Sequence, residues 1–305
     1  MIGLLAARFF QSVAVLAAVY VATFWMLMAV PGDPFIGEKN VPPSVRQAIR
    51  ERYGFNQPKY MIFLRYTRNM FRGDLGPTIL YEDQTVTDVI ANALPRSVAL
   101  GSLAILVALC VGVVTGTLAA MYKGRWQDAL LSVGTLLGIS LPLFVIASAA
   151  LLWSARYFPN WLTTGWGSVG QLVLPVLTLS VFYMAYISRL TRISVLEQLH
   201  QDYVRTARAK GLMPGRVIGL HVLRNASLPV LSYLGPAAAT ALTGSFVVEK
   251  VFNIPGMGQN FVQACLNGDV PLVLGSVLVY TTIVLVFNFV VDISYALADP
   301  RISLA

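Results

Sequence analysis

The sequence predicts an all-α polytopic membrane protein, and three observations carry that prediction. Only 12% of its 305 residues are charged, whereas 56% are hydrophobic. Soluble domains carry about 25% charged residues. The mean hydropathy is +0.68, more apolar surface than a soluble core of this size can hide, so lipid must solvate much of the chain. The charges are also segregated. Uncharged stretches run over 9–32, 97–122, 129–155, 157–188, 225–248 and 270–291. Each is long enough for the roughly 20 residues a helix needs to cross hydrocarbon, which predicts about six transmembrane helices. The alternation over about ten residues that marks a membrane β-strand is missing from these stretches.

Taken in order, the first stretch follows Arg8 and exceeds the roughly 7–15 residues of a signal-peptide core. It is expected to be an uncleaved first helix over about 9–30. The segment from Asp33 to Arg96 is polar and is expected to be external and partly helical. Ser44 is placed to cap a helix through Tyr53, with Val45, Ala48 and Ile49 on one face, and Pro58 to open a second helix through Phe71. Residues 1–93 form one part of this plan and 94–297 the core, with spans at about 97–122, 129–155, 171–190, 228–249 and 271–294 and a tail at 298–305. The stretch Phe158–Gly167 is turn-rich and aromatic, so it reads as an interfacial loop with the next helix starting near Leu172. Pro142, Pro175 and Pro236 fall inside predicted helices, where kinks are expected. Ala108, Gly112, Gly116 and Ala120 share one helical face and Gly134 and Gly138 another. Such small-residue faces let helices approach closely in lipid.

The net charge of +8 points to the membrane surface. Lys and Arg collect in cytoplasmic loops and near anionic lipid, and no basic patch interleaved with aromatics supports nucleic acid. The loop Lys123-Gly124-Arg125 is basic. The stretch from Arg189 to Arg224 holds Arg189, Arg192, Arg205, Arg208, Lys210, Arg216 and Arg224 against Glu197 and Asp202. Both loops are therefore expected in the cytoplasm, and six spans place both termini there. Cys110 reads as a packing residue within an apolar run and Cys265 as a residue of an external loop. With two cysteines, two histidines and no metal-ligand spacing, neither disulfide nor metal is indicated. A phosphate-cradling Gly-x-x-x-x-Gly-Lys-[Ser/Thr] loop is also missing, and no catalytic residue is assigned. Glu249, Lys250 and Asp292 sit at predicted helix ends and read either as interfacial anchors or as ionisable groups of a span with a functional role.

The most informative segment is a polar hairpin at 191–228. The fourth span is expected to continue as a helix to Lys210, with Arg205, Arg208 and Lys210 suiting its C-terminal dipole and Gly211 stopping it. A short second helix follows, about Pro214 to Arg224, and Leu228-Pro229 leads into the fifth span. Ala207, Ala209 and Gly211 leave room for another backbone. The hairpin reads either as a docking element for a cytoplasmic partner or as a solvated basic loop.

Arg205-Thr206-Ala207-Arg208-Ala209-Lys210-Gly211 resembles the cytoplasmic EAA loop of type I ABC importer permeases, in the version found in the peptide and nickel family. Arg205 and Thr206 replace the first two residues of the generic loop, Ala207 and Gly211 are kept, and the interval to Leu228-Pro229 is longer. Pro31-Gly32-Asp33-Pro34, Gly73-Asp74-Leu75-Gly76, Leu94-Pro95, Glu249–Gly258 and Asp299-Pro300-Arg301 match the same subgroup in order and spacing across nearly the whole chain. The resemblance is strongest to the first permease subunit of the oligopeptide systems.

This resemblance implies a type I ABC importer permease fold in a bacterial inner membrane. It implies a homologous second permease, two cytoplasmic ABC ATPases that bind the ATP and Mg, and an external substrate-binding protein, with no cofactor in this chain. The docking residues would be Arg205, Thr206, Ala207, Arg208, Ala209, Lys210, Gly211, Leu212, Met213, Pro214, Gly215, Arg216 and Val217, with a coupling helix at about Leu212 to Leu220. Asn253, Ile254, Pro255, Gly256, Met257 and Gly258 would form an external mouth loop beneath the binding protein. Oligopeptides are the expected substrate, and substrate-contacting residues are not legible. Dipeptides, nickel, glutathione or murein peptides would use the same machinery. An ion-coupled secondary transporter would instead show inverted repeats and charged or broken mid-membrane helices, and a purely structural subunit would tolerate damage to the hairpin.

Overall fold

The computed structural model describes residues 2–29, 57–81, 83–159, 164–243 and 246–298. Pro31–Pro34, the Ser44–Tyr53 helix and Asp299–Arg301 lie outside them. The described residues form helices, with one isolated bridge between Pro77 and Thr85. In chain order these are α1 (Ile2–Ala29), α2 (Lys59–Met70), α3 (Val86–Met121), α4 (Trp126–Ser140), α5 (Leu143–Tyr157) and α6 (Val169–Leu199). After α7 (Asp202–Ala209) comes α8, a composite helix over 214–226 with a π-helical middle at Val217–Val222. Then come α9 (Leu228–Leu242), α10 (Phe246–Val251), α11 (Met257–Asn267) and α12 (Val270–Ala298).

Single helices long and apolar enough to cross a membrane run over Ala7–Ala29, Val86–Met121, Val169–Leu199 and Val270–Val290, and α9 with α10 makes a further candidate span. The sixth candidate differs from expectation. The uncharged stretch 129–155 is not one straight helix: α4 and α5 meet at a 107° bend. Pro142 has no N–H to continue the ladder, and Leu141 and Pro142 take extended backbone angles, ψ 131° and 136°. Pro175 and Pro236 are carried inside α6 and α9. The third helix also starts earlier than expected. Thr85 and Asp88 form a reciprocal cap, Asp88 N–H donating to Thr85 Oγ1 and Thr85 N–H to Asp88 Oδ2 at 3.2 and 3.0 Å. That satisfies orphan first-turn donors and leaves Leu94-Pro95 inside the helix.

The chain divides into two compact units, Met1–Ser97 with Pro255–Val286 and Val98–Ile254 with Phe287–Ile302. This division assigns part of the expected 94–297 core to the N-terminal unit. In the first unit, Tyr20, Phe24, Met28, Ile62, Val270 and Leu274 form one buried cluster, and Lys59 Nζ donates to the Met28 carbonyl at 2.7 Å. Asp269, fully buried, accepts from Thr78 Oγ1, from the N–H of Ile79 and Leu80 at 2.8 and 2.9 Å and from Leu272 N–H at 3.0 Å. One carboxylate thus caps α12 and holds the 78–80 turn. The nearby Tyr81 phenol is pushed above its ordinary value by burial and by the Asp269 charge.

In the second unit the small-residue face of α3 lies on α6. Ala108 and Ala120 are buried. An added Cβ would meet the Ile187 side chain at 2.9 Å from Gly112 and the Thr191 side chain at 2.7 Å from Gly116. Gly138 is close to Ala185 and Val181, whereas Gly134 faces open space. Cys110 is exposed rather than packed. Two residues from both Ala108 and Gly112, it points about 200° away from their face. Cys265 lies within α11, not in a loop. Asp128, at the start of α4, takes a bidentate pair from Arg192 at 2.8 and 2.9 Å and also accepts from Gly124 N–H at 3.0 Å.

Candidate functional site

The polar hairpin is built as a small folded body of the second unit. The helix expected to run through to Lys210 instead breaks at His200 and Gln201. His200 has ψ −4° and Gln201 turns extended at ψ 151°. Asp202 then opens α7 as the acidic first-turn residue that a helix dipole favours, and Arg208 occupies its last turn. Tyr203 Oη donates to Gln198 Oε1 at 2.7 Å, tying α7 back to the end of α6. The Arg205–Asp202 pair, 3.4 Å apart and exposed, contributes little.

Gly211 ends α7 as its residue type foretells. Its φ is +77°, a left-handed conformation that costs glycine nothing. The N–H of Gly211 donates to the Arg208 carbonyl at 2.9 Å, and that of Leu212 to the Ala207 carbonyl at 3.3 Å. These two bonds make a Schellman motif, in which the residue after the glycine packs back on the helix. Pro214 occupies the first position of α8, where its missing N–H loses nothing. The helix expected to serve in coupling starts at Pro214, two residues later than the expected Leu212.

Burial sorts the expected docking residues. Val204, Ala207 and Val217 are buried with Ala120, Val195, Val222 and Ala226, and Leu212 packs against them. Val217 is 1% exposed, so it holds the hairpin together and offers no surface. Arg205, Thr206, Arg208, Ala209, Lys210, Gly211, Met213, Pro214, Gly215 and Arg216 are exposed. Around Gly215 and Gly219 an added Cβ would meet open space. Sequence reasoning did not single out Leu220 as a surface anchor, yet it is 60% exposed and Met213 is 78% exposed. The tip thus presents two large apolar side chains and a glycine-smoothed backbone rimmed by basic residues. Ordinary α-helical spacing puts Leu220, three residues after Val217, on the same face; the π-helical turn at Val217–Val222 buries Val217 with Val222 and leaves Leu220 outside.

The expected mouth loop is an ordered strap. Asn253 has φ +53°, and the N–H groups of Asn253 and Ile254 donate to the Lys250 and Glu249 carbonyls at 3.4 and 2.8 Å. Asparagine here ends α10 with the same bond pattern that Gly211 gives α7. Arg96 Nη1 donates to the Pro255 carbonyl at 3.1 Å, and Met257 N–H to Ser97 Oγ at 2.8 Å. Ile254, Gly256, Met257 and Gly258 are buried, leaving Asn253 and Pro255 exposed. Glu249 is fully buried, contrary to its expected role as an interfacial anchor, because it shares the inward side of α10 with Val248. Lys250 is exposed. The side chain of Asp292 lies outside the described residues. Among the described residues no His, Cys, Asp and Glu group is placed to hold a metal ion.

Comparison with known proteins adds a family. Residues 112–304 match the family model described as "binding-protein-dependent transport system inner membrane component". The oligopeptide transport system permease protein OppB of Haemophilus influenzae is 41% identical over 97% of this chain and 97% of its own length. The dipeptide transport system permease protein DppB of Bacillus subtilis is 37% identical over 97% of this chain and 96% of its own. Among solved structures, an inward-facing MetNI methionine ABC transporter chain aligns with a TM-score of 0.55 at 19% identity, covering 70% of this chain and 97% of that one. That likeness shows a shared fold.

Proposed function

Because the chain belongs to the family of binding-protein-dependent transport system inner membrane components, we propose that it forms half of an oligopeptide translocation pathway in a bacterial inner membrane. A homologous second permease supplies the other half. Two cytoplasmic ABC ATPases bind ATP and Mg and hydrolyse the ATP, and an external binding protein delivers the peptide. Both termini lie in the cytoplasm, lipid surrounds the spans, and the Asn253–Gly258 strap lies beneath the binding protein.

The observation that carries this reading is the hairpin tip. Met213, just before α8, and Leu220, on its outer side, are exposed, whereas Val217 and Val222 lock the other face of α8 to α6 and α7. A protruding apolar knob on a rigid base fits a groove on a partner, and the basic rim adds electrostatic orientation. Because α8 is packed on the end of α6 and leads directly into α9, a displacement of the tip moves both spans as one body. That is how ATPase closure becomes alternating access. Peptide is favoured as cargo by the oligopeptide and dipeptide permeases among the relatives.

Uptake into cells lacking this chain tests the assignment. Labelled tri-alanine and tetra-alanine uptake is expected to disappear and to return on complementation. Nickel uptake that depends on the chain, with unaffected peptide uptake, would overturn the substrate. Peptide uptake that survives removal of the ATPases but collapses with the proton gradient would overturn the mechanism.

A further inference from the structure

The break between α4 and α5 leaves polar backbone exposed inside an otherwise apolar stretch. The Gly138 carbonyl would normally accept from residue 142, but that residue is Pro142 and has no N–H. Val145 and Ile146 N–H donate to the Pro142 carbonyl instead. Among the described residues no donor reaches the carbonyls of Gly138, Ile139, Ser140 or Leu141. Irregular backbone is tolerated among membrane spans where it is buried in protein or lines a cavity. Here it lines one. A cavity of about 450 Å³ is bounded by Gly138, Ile139, Leu141, Phe182, Tyr183 and Thr240, among others.

The hydroxyls on its wall have already spent their protons. Thr240 Oγ1 donates to the carbonyls of Pro236 and Ala237 at 3.0 Å. Tyr183 Oη, 3.2 Å from Thr240 Oγ1, is then the donor of that pair. Both oxygens therefore present lone pairs, as do the carbonyls. No carboxylate, Lys, Arg or His side chain is among the lining residues. The wall accepts hydrogen bonds, sits at the negative end of the α4 dipole and carries two aromatic rings that attract cations. An acyl chain or an apolar helix brings no donor to such a wall. A primary ammonium group brings three.

We infer that this cavity receives the α-ammonium group of a translocating peptide, held by the freed carbonyls at the end of α4 and by Tyr183 and Thr240. This rests on the peptide reading above. Binding by dipoles rather than by a fixed carboxylate suits a transport pathway, where the cargo must leave again, and it reads no side chain. Ethanolamine lipids carry the same ammonium group, so the test separates the two sources.

The complete importer, carrying Ile146→Cys on the cavity wall with Cys110→Ser and Cys265→Ser, is placed in nanodiscs of phosphatidylcholine and phosphatidylglycerol. N-ethylmaleimide alkylation of the introduced thiol is then timed. Free tri-alanine is expected to slow it at least five-fold, and N-acetyl-tri-alanine less than two-fold. Equal protection by both peptides, or by neither, overturns the inference. So does protection by phosphatidylethanolamine nanodiscs without peptide, which assigns the cavity to a lipid amine. Pro142→Ala returns a donor to the Gly138 carbonyl and is expected to raise the half-saturating peptide concentration for uptake at least ten-fold, in complexes that still co-purify with their ATPases. Unchanged uptake there also counts against the site. If the wild-type importer carries no peptide, the functional reading fails first and takes the site with it.

Discussion

The sharpest test of the docking assignment replaces the two exposed apolar residues at the hairpin tip, Met213→Ser with Leu220→Ser. Full burial of a Met or Leu side chain is worth about 1.5–3 kcal/mol. Met213 has 78% and Leu220 60% of its surface still to bury. Seating both in a partner groove therefore contributes about 2–4 kcal/mol, equivalent to roughly 30- to 1,000-fold in affinity. Neither side chain belongs to the hairpin's buried cluster, so the double variant is expected to fold and insert normally. Two measurements check this: the affinity of the ATPases for the purified permease pair, and peptide-stimulated ATP hydrolysis in proteoliposomes. Affinity should fall by at least 30-fold and the stimulation should vanish, while the thermal midpoint of the permease stays put. Wild-type affinity and coupling would refute the assignment outright. Val217→Asp does not serve this purpose, because it places a charge among Val204, Ala207 and Val222 and would unfold the hairpin whatever docks there.

Further outcomes follow from particular contacts. Asp128→Asn removes the charge that Arg192 grips with two bonds; a loss of about 2–3 kcal/mol is expected, seen as a lowered thermal midpoint, and an unchanged midpoint would reject it. Gly116→Ala forces a methyl against the Ser188 backbone and the Thr191 side chain, whereas Gly134→Ala meets open space. The first should cost about 1–3 kcal/mol by overpacking and reduce recovery of assembled complex, and the second should be tolerated; equal recovery would contradict the packing. Asp269→Asn deprives the 78–80 turn of its anionic acceptor, so limited proteolysis should begin to cut between Phe71 and Thr85 while the membrane helices survive.

How much of this was legible depended on how local each signal is. The spans were readable because a missing charge over 20 residues has one cheap explanation, and Gly211 because a left-handed helix stop favours glycine. The start of α3 was also within reach: Thr85-Val86-Thr87-Asp88 has the spacing of a reciprocal cap, but the uncharged run drew the boundary to Ser97. The break at His200-Gln201 was hidden because the apolar periodicity of α6 continues past it in Val204 and Ala207. Pro142 announced a kink, yet its 107° size depends on where Gly138 rests against Ala185 and Val181, which are more than 40 positions away. Asp269 gave no warning at all, since Thr78 is 191 residues distant.

The same distinction explains why the expected docking residues divided as they did. A motif marks residues by position, whereas a short amphipathic hairpin must spend some of them on itself. In α7 and α8 the apolar residues Val204, Ala207, Val217 and Val222 go to the interior, the last two one π-helical turn apart, because a short polar hairpin has no other core. What remains for a partner is what the spacing leaves over: Met213 before the helix, Leu220 on its outer side, and a basic rim. A surface of this kind transmits force well only if its base does not yield, and the base here is a buried aliphatic cluster continuous with α6. The apolar knob and its rigid mount are therefore one design, and substitutions in either should abolish coupling by different routes. Loss of the knob weakens docking with stability intact, whereas loss of the mount lowers stability first.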